Sequence, residues 1–118
     1  MTIEADLTTV LGALAGGRCF PDVAPIATTR PYIVYQQVGG VEIQFLERAV
    51  PSKQNGRFQV SVWADTRSAA AALMGQVASA LVLSTAFQAS AMAAPVALYD
   101  EDLARYGARQ DFSIWSDR

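Results

Sequence analysis

The sequence predicts an α+β domain: a single, largely antiparallel sheet of four to five strands with two helices packed on one face. Three observations lead there. Apolar residues recur at three- and four-residue steps in two segments, apolar and polar residues alternate in several others, and the order runs helix, two or three strands, helix, two strands.

The first helix is written in Ile3, Leu7, Val10, Leu11 and Leu14, one apolar stripe with Thr2 placed to cap its start. Gly16 and Gly17 end it, because glycine adopts the left-handed conformation that closes a helix without strain. The same capping role accounts for the Gly12 to Gly16 spacing, and no phosphate-binding loop is present. From Arg18 to Arg30, Pro21 and Pro25 dictate an extended connection whose Phe20, Val23 and Ile26 are expected to close over an edge of the core. Pro31 then opens a strand. In Tyr32-Ile33-Val34-Tyr35-Gln36-Gln37-Val38 both alternating sets begin apolar, which predicts that both faces are at least partly covered.

Gly39-Gly40 breaks that strand. Val41 to Leu46 alternates, with Val41, Ile43 and Phe45 against Glu42 and Gln44, and reads as a second strand. Pro51 to Gly56 is polar, and its Asn-Gly pair suits a tight hairpin turn. The stretch from about 39 to 56 is expected to be a flexible arm or long hairpin. Phe58, Val60 and Val62 then face one way and Arg57, Gln59, Ser61 and Trp63 the other. Asp65 or Thr66 caps a second helix with Ala69, Leu73, Val77, Ala80 and Leu81 as its buried stripe. After a loop over 84–94, Val96 and Leu98 mark a short strand ended by Asp100-Glu101-Asp102. Arg109 to Ser116 gives the last strand, with Phe112 and Ile114 facing opposite to Trp115. Phe58, Val60, Val62, Phe112 and Ile114 are expected to face the helices. Trp63 and Trp115 are left on the uncovered side, where their large apolar area suits contact with another subunit.

The chain of 118 residues suits one domain, 1–118, which removes roughly two thirds of its unfolded surface from water on folding. Nine Lys and Arg against eleven Asp and Glu give a net charge of −2, so no broad cationic surface exists to displace counterions from nucleic acid. The single Cys19 excludes an intrachain disulfide. Met1 to Asp6 carry acids and no base, unlike the start of a secretory signal. No charge occurs from Ser68 through Tyr99, but the stretch is mostly Ala with polar residues throughout, which predicts a buried helix, a loop and a strand rather than a membrane span.

The absence of histidine removes the usual general base, the usual zinc ligand and the Ser-His and Cys-His nucleophile pairs together. Three adjacent carboxylates at Asp100 to Asp102 do not converge on one cation unaided. No pair of carboxylates facing across a cleft is indicated, and Arg105, Tyr106 and Arg109 are a poor stacking platform beside so many acids. The sequence therefore predicts no enzyme, no metal and no cofactor.

Taken in order, the N-terminal helix, Phe20-Pro21 and Pro25, Pro31-Tyr32-Ile33-Val34-Tyr35-Gln36, Val60-Ser61-Val62-Trp63-Ala64-Asp65-Thr66 running into an Ala-rich helix, and Arg109-Gln110-Asp111-Phe112-Ser113-Ile114-Trp115 resemble a family of small siphophage and prophage tail-completion proteins, similar in fold to tail terminators. The resemblance spans nearly the whole chain. One departure is Leu103 to Ala108, short for the family's last hairpin, with Gly107 where a bulkier strand residue is expected. The resemblance implies a virion tail protein, assembled in the host cytoplasm, that forms a ring with copies of itself, a hexamer in the family, stops tail-tube polymerisation and meets the head connector. It implies no specific nucleic-acid binding and no membrane. Combined with the uncovered face and the arm, it gives Tyr32, Val34, Glu42, Gln44, Glu47, Arg48, Lys53, Arg57, Trp63 and Trp115 as candidate subunit contacts. A head-closure or neck adaptor, and a small dimeric ligand-binding α+β module, are the competing readings. The protomer's own loops folding back over the indoles is the competing explanation of the tryptophans.

Overall fold

The computed structural model describes residues 2–46 and 48–118. Helix α1 spans Ile3–Gly12 and is capped by Thr2, whose hydroxyl accepts from the Ala5 amide at 3.1 Å. Leu7 and Leu11 from this helix are completely buried. Past the helix the Gly17 amide donates to the Gly12 carbonyl at 2.8 Å and turns the chain toward the sheet. Strand β1, Cys19–Pro21, pairs in parallel with β2, Tyr32–Gln37. Strand β3, Lys53–Ala64, is antiparallel to β2. Helix α2, Arg67–Leu83, follows at once, its first free amides met by Thr66, which accepts from Ala69 at 3.1 Å. Strands β4, Gln88–Ala91, and β5, Val96–Asp100, both pair antiparallel with β6, Arg105–Asp117.

The sheet order is β1-β2-β3-β6, with β4 and β5 sharing the far side of β6. The fold is the expected α+β arrangement, and the six strands among the described residues exceed the four to five read from the sequence. The two additional strands, β1 and β4, are three and four residues long, too short to show an alternation.

Both helices cover one face. Ile33 and Tyr35 of β2, Phe58, Val60 and Val62 of β3, and Phe112 and Ile114 of β6 meet Leu7, Leu11, Leu73, Met74, Val77 and Leu81 in one continuous core. Phe58 stands opposite Phe112 across the β3–β6 ladder. Each such side chain contributes about 1.5–3 kcal/mol by leaving water. The buried stripe of α2 is Ala70, Leu73, Met74, Val77 and Leu81. Ala69 is exposed and Ala80 only half-buried, a correction of one position at each end of the predicted stripe. A run of alanines carries no contrast from which the phase of a helix can be set.

Two further expectations are overturned. Val41 to Leu46 is not a strand: it has no ladder partner among the described residues, and Val41, Phe45 and Leu46 are exposed. Asn55-Gly56 is not a turn either. It lies inside β3, opposite Trp115 and Ile114, which extends that strand four residues before its predicted neighbourhood at Arg57. Asn55 is held there by its side chain, whose amide donates to the Ser113 hydroxyl at 2.9 Å and whose oxygen accepts from the Val41 amide at 2.9 Å. Long-range partners thereby override the local turn preference of the pair. Val23 and Ile26, expected over the core edge, are 76% and 101% exposed.

Gly107 explains its own departure from the family pattern. It faces Trp63 across the ladder, and a Cβ at this position would lie 2.7 Å from the indole ring and 2.8 Å from the Val62 carbonyl oxygen. Because backbone and ring must both move, Gly107→Ala is expected to destabilise the fold by about 1–3 kcal/mol. Urea unfolding should show a lower midpoint at an unchanged m-value; an unaltered midpoint refutes the close packing of Trp63 on the β6 backbone.

Candidate subunit interface

The alternation that sends Phe58, Val60 and Val62 to the core sends Lys53, Asn55, Arg57, Gln59, Ser61 and Trp63 to the opposite face, beside Arg105, Gly107, Arg109, Asp111, Ser113, Trp115 and Asp117 of β6. The centre of this face is polar. Arg57 and Asp111 pair across it at 2.6 Å. The two tryptophans stand at its opposite ends: Trp63 pairs with Gly107, eight residues from Trp115 along β6, a separation of about 26 Å at the rise of a strand. They are both half-buried and form two clusters, not one aromatic patch.

At the first end, the guanidinium of Arg105 lies 4.0 Å from the centre of the Trp63 ring and donates to Asp100 and to the Tyr32 hydroxyl. A delocalised cation over an indole face is attracted by the ring quadrupole, and Asp100 holds it in place. The same carboxylate accepts from the amides of Asp102 and Leu103, at 3.0 and 3.4 Å, and so shapes the turn between β5 and β6. Arg30 ties the preceding loop to this corner by pairing with Asp65 at 2.8 Å and donating to the Leu103 carbonyl at 3.0 Å. Between the loop 22–30 and the sheet runs an open groove lined by Val23, Ile26, Tyr32, Val34, Trp63 and Arg105, among others. Tyr32 is 5% exposed although it belongs to the outer face, as the doubly apolar pattern of β2 predicts.

The second end carries the arm. Residues 40–46 and 48–52 lie outside the ladder between β2 and β3, and Ile43 lies with Phe87 and Trp115 around a shallow hollow. Lys53 pairs with Asp117, and the Arg118 amide and side chain bond to the carbonyls of Ser52 and Pro51 at 2.8 and 3.0 Å, so Asp117 and Arg118 clamp the arm's base. The Lys53 ammonium holds the Asp117 carboxyl below the usual carboxylate range.

The predicted contact residues are thus divided. Tyr32, Val34 and Trp63 come together at the groove. Lys53 and Trp115 meet at the arm's base, Arg57 stands between, and Glu42, Gln44 and Arg48 are exposed on the arm. Glu47 lies outside the described residues. The groove's other components, Arg30, Asp65 and Arg105, were not singled out as contacts; their convergence depends on the loop and the β5–β6 turn meeting β3, which no local pattern encodes. Cys19 is buried, and desolvation pushes its thiol up to about 11, which leaves it unreactive near neutral pH. Among the described residues no three Cys, Asp or Glu gather closely enough to hold a metal ion.

Removing the cation from Trp63 by Arg105→Ala should cost about 0.5–2 kcal/mol and alter the indole fluorescence; an unchanged emission spectrum contradicts the stacking. The Asp117 carboxyl should titrate below about 3.9 by NMR and return to that value in Lys53→Ala. The sign follows from the lowered folded pKa: the clamp is complete above the unfolded value and is lost as pH falls through the folded one. A normal Asp117 titration in the unaltered protein rules the ion pair out.

No helix among the described residues is long and apolar enough to cross a membrane. A search of curated proteins finds no match. The family described as tail completion protein gp17 matches residues 4–117, nearly the whole chain. Members are structural components of the phage tail and act with other tail or head proteins of the virion. The chain belongs to this family of phage tail completion proteins.

Proposed function

We propose that the protein closes the end of the tail tube as a ring of identical subunits, a hexamer by family resemblance, halting tube polymerisation and offering the head connector a docking surface. The observation that carries this reading is the arm. Val41, Phe45, Leu46 and Val50 are 60%, 45%, 103% and 75% exposed on one projecting segment, an apolar display that a solitary subunit has no use for. The shape agrees with it: a Cα radius of gyration of 15.1 Å exceeds the roughly 13.5 Å of a compact chain of this length. Structural rather than catalytic work fits the absence of histidine, and the net charge of −2 suits a passage through which DNA slides without adhering. Assembly would take place in the host cytoplasm before the tail meets the head.

The test is to replace residues 41–50 by a short Gly-Ser linker and to compare this variant with the unaltered protein by light scattering and negative-stain microscopy, alone and on purified tail tubes. The unaltered protein should form rings or cap tube ends, and the variant should remain monomeric with an unchanged far-UV spectrum. Full ring formation by the arm-less chain defeats the role given to the arm. Binding to the head connector alone, with none to tube ends, would favour the neck-adaptor reading instead.

A further inference from the structure

The arm has the sequence of a strand and no strand to pair with. Val41 to Phe45 alternates apolar and polar residues, yet among the described residues the backbone groups of Glu42, Ile43 and Gln44 meet no protein hydrogen-bond partner. Elsewhere the sheet has the converse deficiency. Among the described residues strand β5 pairs with β6 alone, so its other edge is open. Between Pro95 and Asp100 that edge is apolar, and Val96 and Tyr99 on it are 49% and 53% exposed.

We infer that Val41 to Phe45 of one subunit adds as a strand to the β5 edge of the next, which rests on the ring reading above and names its contact. The two segments are each five residues long. A chain cannot satisfy its own edge. Val41 is tied to Asn55, whose ladder partner Trp115 stands six residues from Arg109 and ten from Arg105, the two ends of the β5 pairing. Those distances are about 20 and 33 Å at a strand's rise, and five residues from Val41 reach only about 17 Å. Donor and acceptor therefore belong to different copies, on different parts of the surface, which is the head-to-tail contact that closes into rings.

With the arm parallel to β5, Val41 meets Val96 and Ile43 meets Leu98, which keeps Glu42 away from Asp100 and Glu101; the reverse direction brings Glu42 toward those acids.

In this register Glu42 lies opposite Ala97, at the Cα separation of about 5 Å that a disulfide accepts. Glu42→Cys subunits are mixed with Ala97→Cys subunits under mild oxidation at a concentration where light scattering detects assembly. The native Cys19 thiol is buried and does not compete. A shift to doubled mass in the mixture, absent from either variant alone, is the expected result. Assembled rings that yield no cross-link overturn the edge pairing and leave the ring reading standing. Unaltered protein that stays monomeric at all concentrations and on tube ends overturns both.

Discussion

The structure depends on the ladder between β3 and β6. Twelve residues of one strand pair without interruption with twelve of the other, Lys53 with Asp117 at one end and Ala64 with Tyr106 at the other. Because strand side chains alternate, this single register decides which residues meet the helices and which do not. A slip of β3 by one position would send Phe58, Val60 and Val62 together to the wet face and leave Phe112 and Ile114 without them. The burial of those five side chains and the pairing therefore enforce each other, and every smaller element attaches to the scaffold they make. On one side β2 and then β1 extend it, and on the other β4 and β5 divide the length of β6 between them.

Much of this was legible because burial is periodic. The core face of β3 and β6, the two helices, the Thr2 and Thr66 caps and the doubly covered start of β2 follow from spacing alone. What failed did so where local preference and long-range pairing disagree. Asn55-Gly56 has the composition of a turn, but Asn55 finds three partners across the sheet, and the strand runs straight through it. Val41 to Leu46 has the composition of a strand, but among the described residues no strand of its own subunit pairs with it. The outer face was legible in outline only. Alternation places Trp63 and Trp115 on it correctly and says nothing of the distance between them, so two separate clusters read as one surface. Arg105 illustrates the remainder: its position over Trp63 needs Gly107 to leave room and Asp100 to hold it, a convergence of three segments.

The polar centre of the outer face has a physical consequence. Arg57 and Asp111 satisfy each other, and Gln59, Ser61 and Ser113 are at ease in water, so covering this region would gain little from the removal of apolar surface. The groove at one end is already braced by Arg30 and Arg105 within the subunit. Exposed apolar side chains lie instead on the arm, on the loop with Val23 and Ile26, at the end of α2 and along β5. On the proposed contact the subunit would associate through its arm and edge, with its broad face left wet.

Directional contact is what a tail end requires. A face-to-face pairing of sheets is self-complementary and stops at two copies, whereas a projecting donor and a distant acceptor leave each new subunit with one of each still free. In the proposed ring, growth would continue until the rotation between neighbours brings the last arm to the first edge. The clamp of Lys53, Asp117 and Arg118 at the arm's base bears on this closure, since the angle at which the arm leaves the sheet sets that rotation. Closure also removes every open β5 edge at once. On the proposed contact, Val96 and Tyr99 would leave water as the β5 edge is covered.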